Sequence, residues 1–142
     1  MQNNYNYIVG IDPGMNTGLC IYDKVKKHFE ISTVMIHQAM MEVLRVQAIG
    51  CTIVYFEDAR LRRWFGKAGR EVLQGVGSIK RDCKIWECFL TNNETVFKSV
   101  APSPGRTKWN KSYFDKVMAN YGWKGQSSQH ARDATCLILG LI

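Results

Sequence analysis

Apolar and polar positions along the chain recur with two different periods, and their order predicts an architecture. Tyr7 to Ile11 is a short β-prone run, and after the turn signals Pro13-Gly14 and Gly18 the chain resumes with Leu19-Cys20-Ile21-Tyr22, so the two read as a hairpin. His28 to Val34 supplies a third strand, in which Phe29, Ile31 and Thr33 alternate with more polar neighbours. From Met35 to Ala48 the period lengthens. Ile36, Met40, Val43, Leu44 and Ala48 recur every three to four residues, as one buried helix face requires.

Cys51 to Phe56 is a compact apolar, β-branched and aromatic run that stops at Glu57-Asp58, the pattern of a central strand ending in carboxylates. Residues 59–69 read as a basic loop. From about Arg70 to Cys88, Val72, Leu73, Val76, Ile79 and Cys83 keep helical spacing, although Gly75 and Gly77 each cost about 1 kcal/mol relative to Ala and so suggest close packing. Thr95 to Ala101 is a fifth strand, closed by Pro102-Ser103-Pro104-Gly105. Asn110 to Tyr121 is a helix ended by Gly122, and Ser127 or Ser128 caps a last helix to about Leu141. The expectation is an α/β fold in which a mixed five-stranded sheet carries helices on its faces.

Length and charge narrow the classes. At 142 residues the chain fits one domain, 1–142, and its 46% hydrophobic and 22% charged composition is that of a folded globule. Its longest apolar run, Cys136 to Ile142, is interrupted by Gly140 and falls short of the ~18 residues that span a bilayer. The opening Met1-Gln2-Asn3-Asn4-Tyr5 lacks the basic start and apolar stretch of a secretory signal, so a cytoplasmic protein with no membrane partner is expected. Five cysteines without a C-x-x-C pair suggest buried, reduced thiols. Nineteen Lys and Arg against twelve Asp and Glu give +7, a field that draws in polyanions.

The candidate chemistry lies in carboxylates placed where apolar strands end. Asp12 closes the first strand and Glu57 the fourth. If those strands are neighbours, two negative charges meet at one sheet edge, and a cation or a shared proton must relieve them. His130 and Asp133 are three apart on the last helix and share a face, with Ala134, Leu137, Ile138 and Leu141 forming its packing stripe. Taken singly, each has an ordinary explanation. Asp12 before Pro-Gly suits a turn, Glu57 and Asp58 a solvated strand end, and His130 with Asp133 a first-turn pair favoured by the helix dipole.

As an ordered set these residues resemble the RuvC-type Holliday-junction resolvases, of the ribonuclease H-like superfamily. The features are Gly10-Ile11-Asp12-Pro13-Gly14 with Gly18, a strand ending in Glu57, and a terminal helix opening His130-x-x-Asp133-Ala134. The segment Gly69-Arg70-Glu71-Val72-Leu73-Gln74-Gly75 is similar to the helix that follows the second acidic residue in that family, and the short chain is similar to compact phage-type members. The resemblance implies a ribonuclease H-like fold. It implies Asp12, Glu57, His130 and Asp133 as a centre for two Mg²⁺ or Mn²⁺ ions, with Asp12 bridging them and His130 either completing the site or orienting the attacking water. Asp58 stands in reserve for Glu57. It further implies hydrolysis of four-way DNA junctions by a homodimer, leaving 5′-phosphate and 3′-hydroxyl ends.

A basic surround must bring DNA to such an acidic centre. Arg60, Arg62, Arg63, Lys67, Arg70, Lys80 and Arg81 face the single acid Glu71 over 60–81, and Trp64 or Phe65 among them offers a ring to stack on an unpaired base, worth about 1–3 kcal/mol, or else serves the core. Arg106, Lys108 and Lys111 with Trp109 form a second basic group, in which Lys108 and Lys111 are the candidate phosphate contacts. The Arg70 to Cys88 helix is either a dimer interface or part of the core. Other branched or RNA-containing substrates, and a non-catalytic junction binder, remain as alternatives. Actin-like ATPases and sugar kinases share the first motif but need two such domains, which this length excludes.

Overall fold

Five strands form one mixed sheet in the order β3-β2-β1-β4-β5. In this computed structural model, which describes residues 4–62, 70–103 and 108–142, the strands are β1 (Tyr7–Asp12), β2 (Asn16–Asp23), β3 (His28–Met35), β4 (Thr52–Glu57) and β5 (Val96–Val100). The helices are α1 (Ile36–Ile49), α2 (Arg70–Asn92), α3 (Lys111–Ala119) and α4 (Gln129–Leu139), with a 3-10 turn at Ala59–Leu61. Arg63, Trp64, Phe65, Lys67 and Arg106 lie outside the described residues, and so does the side chain of Arg70.

The first three strands are antiparallel neighbours, whereas β4 lies parallel to β1 and β5 parallel to β4. This is the mixed α/β sheet expected from the hydrophobic pattern, and helices cover both faces. Strand alternation divides the core. Val9, Ile11, Leu19, Ile21, Val54 and Phe56 point to one face, where Ala39, Val43 and Val46 of α1 and Cys83, Trp86 and Leu90 of α2 pack on them. Ile8, Cys20, Tyr22, Ile53 and Tyr55 point to the other, against Phe114 and Met118 of α3 and Ala134 and Ile138 of α4.

Two helices differ from the simple stripes. In α1 the fully buried line is Ala39, Val43 and Val46, with Ala48 exposed, because a period of 3.6 moves the stripe off a strict four-residue repeat. In α2 the apolar period runs on through Trp86, Phe89 and Leu90, so the helix ends at Asn92 rather than near Cys88. Ile79, placed on the packing stripe by its spacing, is 41% exposed, and Gly75 and Gly77 face open space among the described residues.

Local signals set the other ends. Asn110 caps α3 by accepting from the Tyr113 backbone N–H at 2.9 Å, and Ser128, not Ser127, caps α4 through the Ala131 N–H. Beyond α3, Gly122 at φ +75° closes the chain, its N–H bonding Ala119 O while the Trp123 N–H bonds Met118 O. Of the five free cysteines, Cys20 and Cys83 are buried, Cys136 is intermediate, and Cys51 and Cys88 are exposed. Burial raises the Cys20 thiol to about 12 and Cys83 to about 11, so neither thiol is ionised at neutral pH.

Candidate active site

Asp12 and Glu57 each stand one residue beyond the last registered pair of β1 and β4, Ile11 opposite Phe56, at the carboxyl ends of adjacent parallel strands. Alternation sends both toward the α4 face, since Ile11 and Phe56 belong to the opposite core layer. The two central strands therefore deliver their carboxylates to one edge, beside the first turns of α4.

The motif glycines let α4 come that close. A Cβ on Gly10 would run into the Ala134 carbonyl oxygen, and one on Gly18, the register partner of Asp12, into the His130 carbonyl. Both obstacles are backbone. The helix thus lies against β1 and β2 at a distance that only glycine permits.

At this edge His130 Nδ1 lies 2.9 Å from Asp12 Oδ2. When this carboxylate is ionised it can only accept, so Nδ1 is then the donor, and Nε2 is an acceptor when the ring is neutral. Asp133 Oδ2 pairs with Lys108 Nζ at 3.2 Å, and its Oδ1 accepts from Gln129 Nε2 at 2.8 Å. Asp12 is largely buried, its side chain 16% exposed, and its carboxyl is held above the usual range. Burial is the main cause; the Asp133 charge adds to it, while the bond from His130 and the charges of His130 and Lys108 oppose it. Asp12 thus bonds His130, 118 residues away in sequence, and feels the charge of Asp133, with Glu57 at the neighbouring strand end.

Among the described residues, no three His, Cys, Asp or Glu side chains are gathered closely enough to hold a metal ion. Lys108 and His130 instead sit on the two aspartates. The donor chemistry suits a hard divalent cation: three carboxylates and one imidazole nitrogen, with Asp12 buried where its charged form is disfavoured.

Arg60 and Asp58 form a separate unit. Asp58 is buried and receives both arms of Arg60, Nε to Oδ1 at 2.8 Å and Nη2 to Oδ2 at 2.7 Å, while Nη2 also meets Glu87 Oε2 on α2 at 2.5 Å. The carboxylate held in reserve for Glu57 is therefore committed to Arg60, whose guanidinium anchors the 3-10 turn to α2. These bonds hold the Asp58 carboxyl below its usual value. A depressed carboxyl contributes stability above the unfolded value of 3.8 and loses it as pH falls through the folded one. Arg60→Ala is expected to cost about 2–3 kcal/mol at pH 7, as it strands a buried carboxylate beside a partly exposed partner. Urea titrations should show that deficit shrinking toward pH 3; a pH-independent deficit would refute the assignment.

Arg62 is exposed beyond the turn, and Lys111 pairs with Asp115 at 2.5 Å along α3. Two side chains at the site had no place in the sequence reading: Gln129 and Arg132. Gln129 stands four residues before Asp133, a helical spacing that marks a contact. Two of the four bonds of Arg132 go to backbone carbonyls, which leave no mark in a sequence.

No protein-family model and no curated protein matches the sequence. Among solved structures, the chain is similar to T. thermophilus RuvC in complex with Holliday junction substrate, at 18% identity and a TM-score of 0.53, over 92% of this chain and 89% of that one. The fold is ribonuclease H-like. Among the described residues, no helix is long and apolar enough to cross a membrane.

Proposed function

We propose that the chain is a metal-dependent, structure-selective endonuclease that resolves four-way DNA junctions. The observation that carries this reading is the meeting of Asp12, His130 and Asp133 at the carboxyl end of the central strands, beside Glu57, in a fold shared with a protein solved on a Holliday junction. Asp12, Glu57, Asp133 and the free Nε2 of His130 would hold the ions. Two divalent cations, Mg²⁺ or Mn²⁺, supply the Lewis acidity for phosphodiester hydrolysis when bound.

The remaining chemistry belongs to the chain. With Nδ1 committed to Asp12, His130 has only Nε2 with which to ligate or to accept a proton from the attacking water. Lys108, beside Asp133, and Lys111, paired with Asp115 on α3, would attract the phosphate backbone. Arg62, Arg63, Lys67 and Arg70 extend that attraction along the junction arms, and Trp64 or Phe65 stacks at its centre. Cleavage leaves a 5′-phosphate and a 3′-hydroxyl. Paired incisions need two sites on a two-fold axis, so the active form is a homodimer. The open faces of Gly75 and Gly77 and the exposed Ile79 and Ile85 make α2 the candidate interface.

The test offers labelled four-way junction, fork, linear duplex and RNA–DNA hybrid with Mg²⁺ or Mn²⁺. Paired incisions in the junction, sealed afterwards by a ligase, are expected. Preferential cutting of the hybrid or fork would reassign the substrate, and cation-independent binding without incision would make the chain a junction-binding protein.

A further inference from the structure

Arg132 spreads its guanidinium over three parts of the chain. Nε donates to the Trp109 carbonyl at 3.0 Å, Nη1 to the Ser127 carbonyl at 2.7 Å and the Ser127 hydroxyl at 3.2 Å, and Nη2 to Gln129 Oε1 at 3.2 Å. This last bond fixes the Gln129 amide. With its oxygen facing Arg132, its nitrogen must face Asp133, and Nε2 donates to Asp133 Oδ1 at 2.8 Å. The bond at Trp109 acts from the other side, pinning the chain next to Lys108, whose ammonium reaches Asp133 Oδ2. One guanidinium thus sets both neighbours of a single carboxylate.

We propose that Gln129 and Arg132 are positioning residues of the candidate metal centre: Gln129 orients the Asp133 carboxylate, and Arg132 locks that amide while holding Lys108 beside the same carboxylate. The proposal rests on the nuclease reading and extends it, because it couples the cation site to the DNA-contacting segment. A lysine at 132 keeps the charge but lacks the planar fork that reaches all three parts. Gln129→Met keeps helix propensity and size while removing the donor.

The test measures three quantities on the purified protein: Mn²⁺ affinity by calorimetry, junction affinity in EDTA by gel shift, and thermal unfolding. Gln129→Met is expected to weaken Mn²⁺ binding about 10-fold, as loss of a hydrogen bond behind a metal ligand does, with junction affinity in EDTA unchanged. Arg132→Lys is expected to weaken both, several-fold each. Unchanged Mn²⁺ affinity in Gln129→Met overturns the proposal, as does a fall in unfolding temperature as the only effect in both variants. Asp12→Asn separates this from the parent reading. If it abolishes Mn²⁺ binding while Gln129→Met does not weaken it, only the positioning role fails; if Mn²⁺ binding survives Asp12→Asn, the metal centre and the positioning role fail together.

Discussion

Asp12→Asn is expected to reduce cation-dependent junction cleavage by more than about 10²-fold, the scale on which one group is lost from a centre that stabilises a reacting phosphate. The substituted protein should still shift a junction on a gel, because the basic side chains are untouched. Its stability provides the control. Asp12 has a folded pKa raised by burial, and such a group favours the fold at low pH and loses that contribution as pH rises through the folded value. Above that value the ionised form weighs against the fold, so the neutral amide variant should be at least as stable in EDTA. The oxygen of the introduced amide can still accept from His130. Loss of cleavage with stability retained places Asp12 in the chemistry; equal cleavage by both proteins removes it.

Gly18→Ala carries the largest expected effect on the fold. The added methyl meets the His130 carbonyl and the Ala131 nitrogen, which cannot rotate away as a side chain would. Either the sheet or the start of α4 must shift, at about 3 kcal/mol, the upper range for overpacking, or roughly 10 °C in melting temperature. Because the displaced turn carries His130 and sits beside Asp133, cleavage should fall further than the folded fraction does. Gly122→Ala provides the contrast: its φ of +75° costs the variant stability, but its open surroundings lie away from the site, so cleavage per folded molecule should be unchanged. A Gly18→Ala protein as stable and active as the parent would mean that α4 does not lie where the glycines allow it.

Much of this arrangement was legible in the residues because it depends on period and order. The apolar runs ending in Asp12 and Glu57 identified strands with carboxylates at their tips, and the spacing of Ala134 and Ile138 marked the packing face of α4, while the sheet face it covers is set by the fold. The glycines read as turn signals do a further job, since Gly10 and Gly18 set the distance between helix and sheet. Arg60 was harder. Its charge suggests DNA, but its partner Glu87 lies on α2, a tertiary neighbour invisible to local pattern. Arg132 was hidden for a related reason, as its main acceptors are the Trp109 and Ser127 carbonyls. Side chains that recognise backbone are specified by the fold rather than by a motif.

The placement of Lys108 connects the two halves of the proposed activity. Its ammonium rests on Asp133 while its side chain is 70% exposed, so the pair is weak and readily exchanged. Under the proposed function, a phosphate approaching the site would compete for that ammonium and leave Asp133 Oδ2 open to a cation.

Anomalous scattering from crystals of the protein with Mn²⁺ and an uncleaved junction tests the central claim most directly. Two manganese peaks about 4 Å apart are predicted, both within ligating distance of side chains drawn from Asp12, Glu57, His130 and Asp133, with Lys108 moved from Asp133 to a phosphate. Saturating Mn²⁺ with no peak at this edge, and with Asp133 still paired to Lys108, would contradict the account.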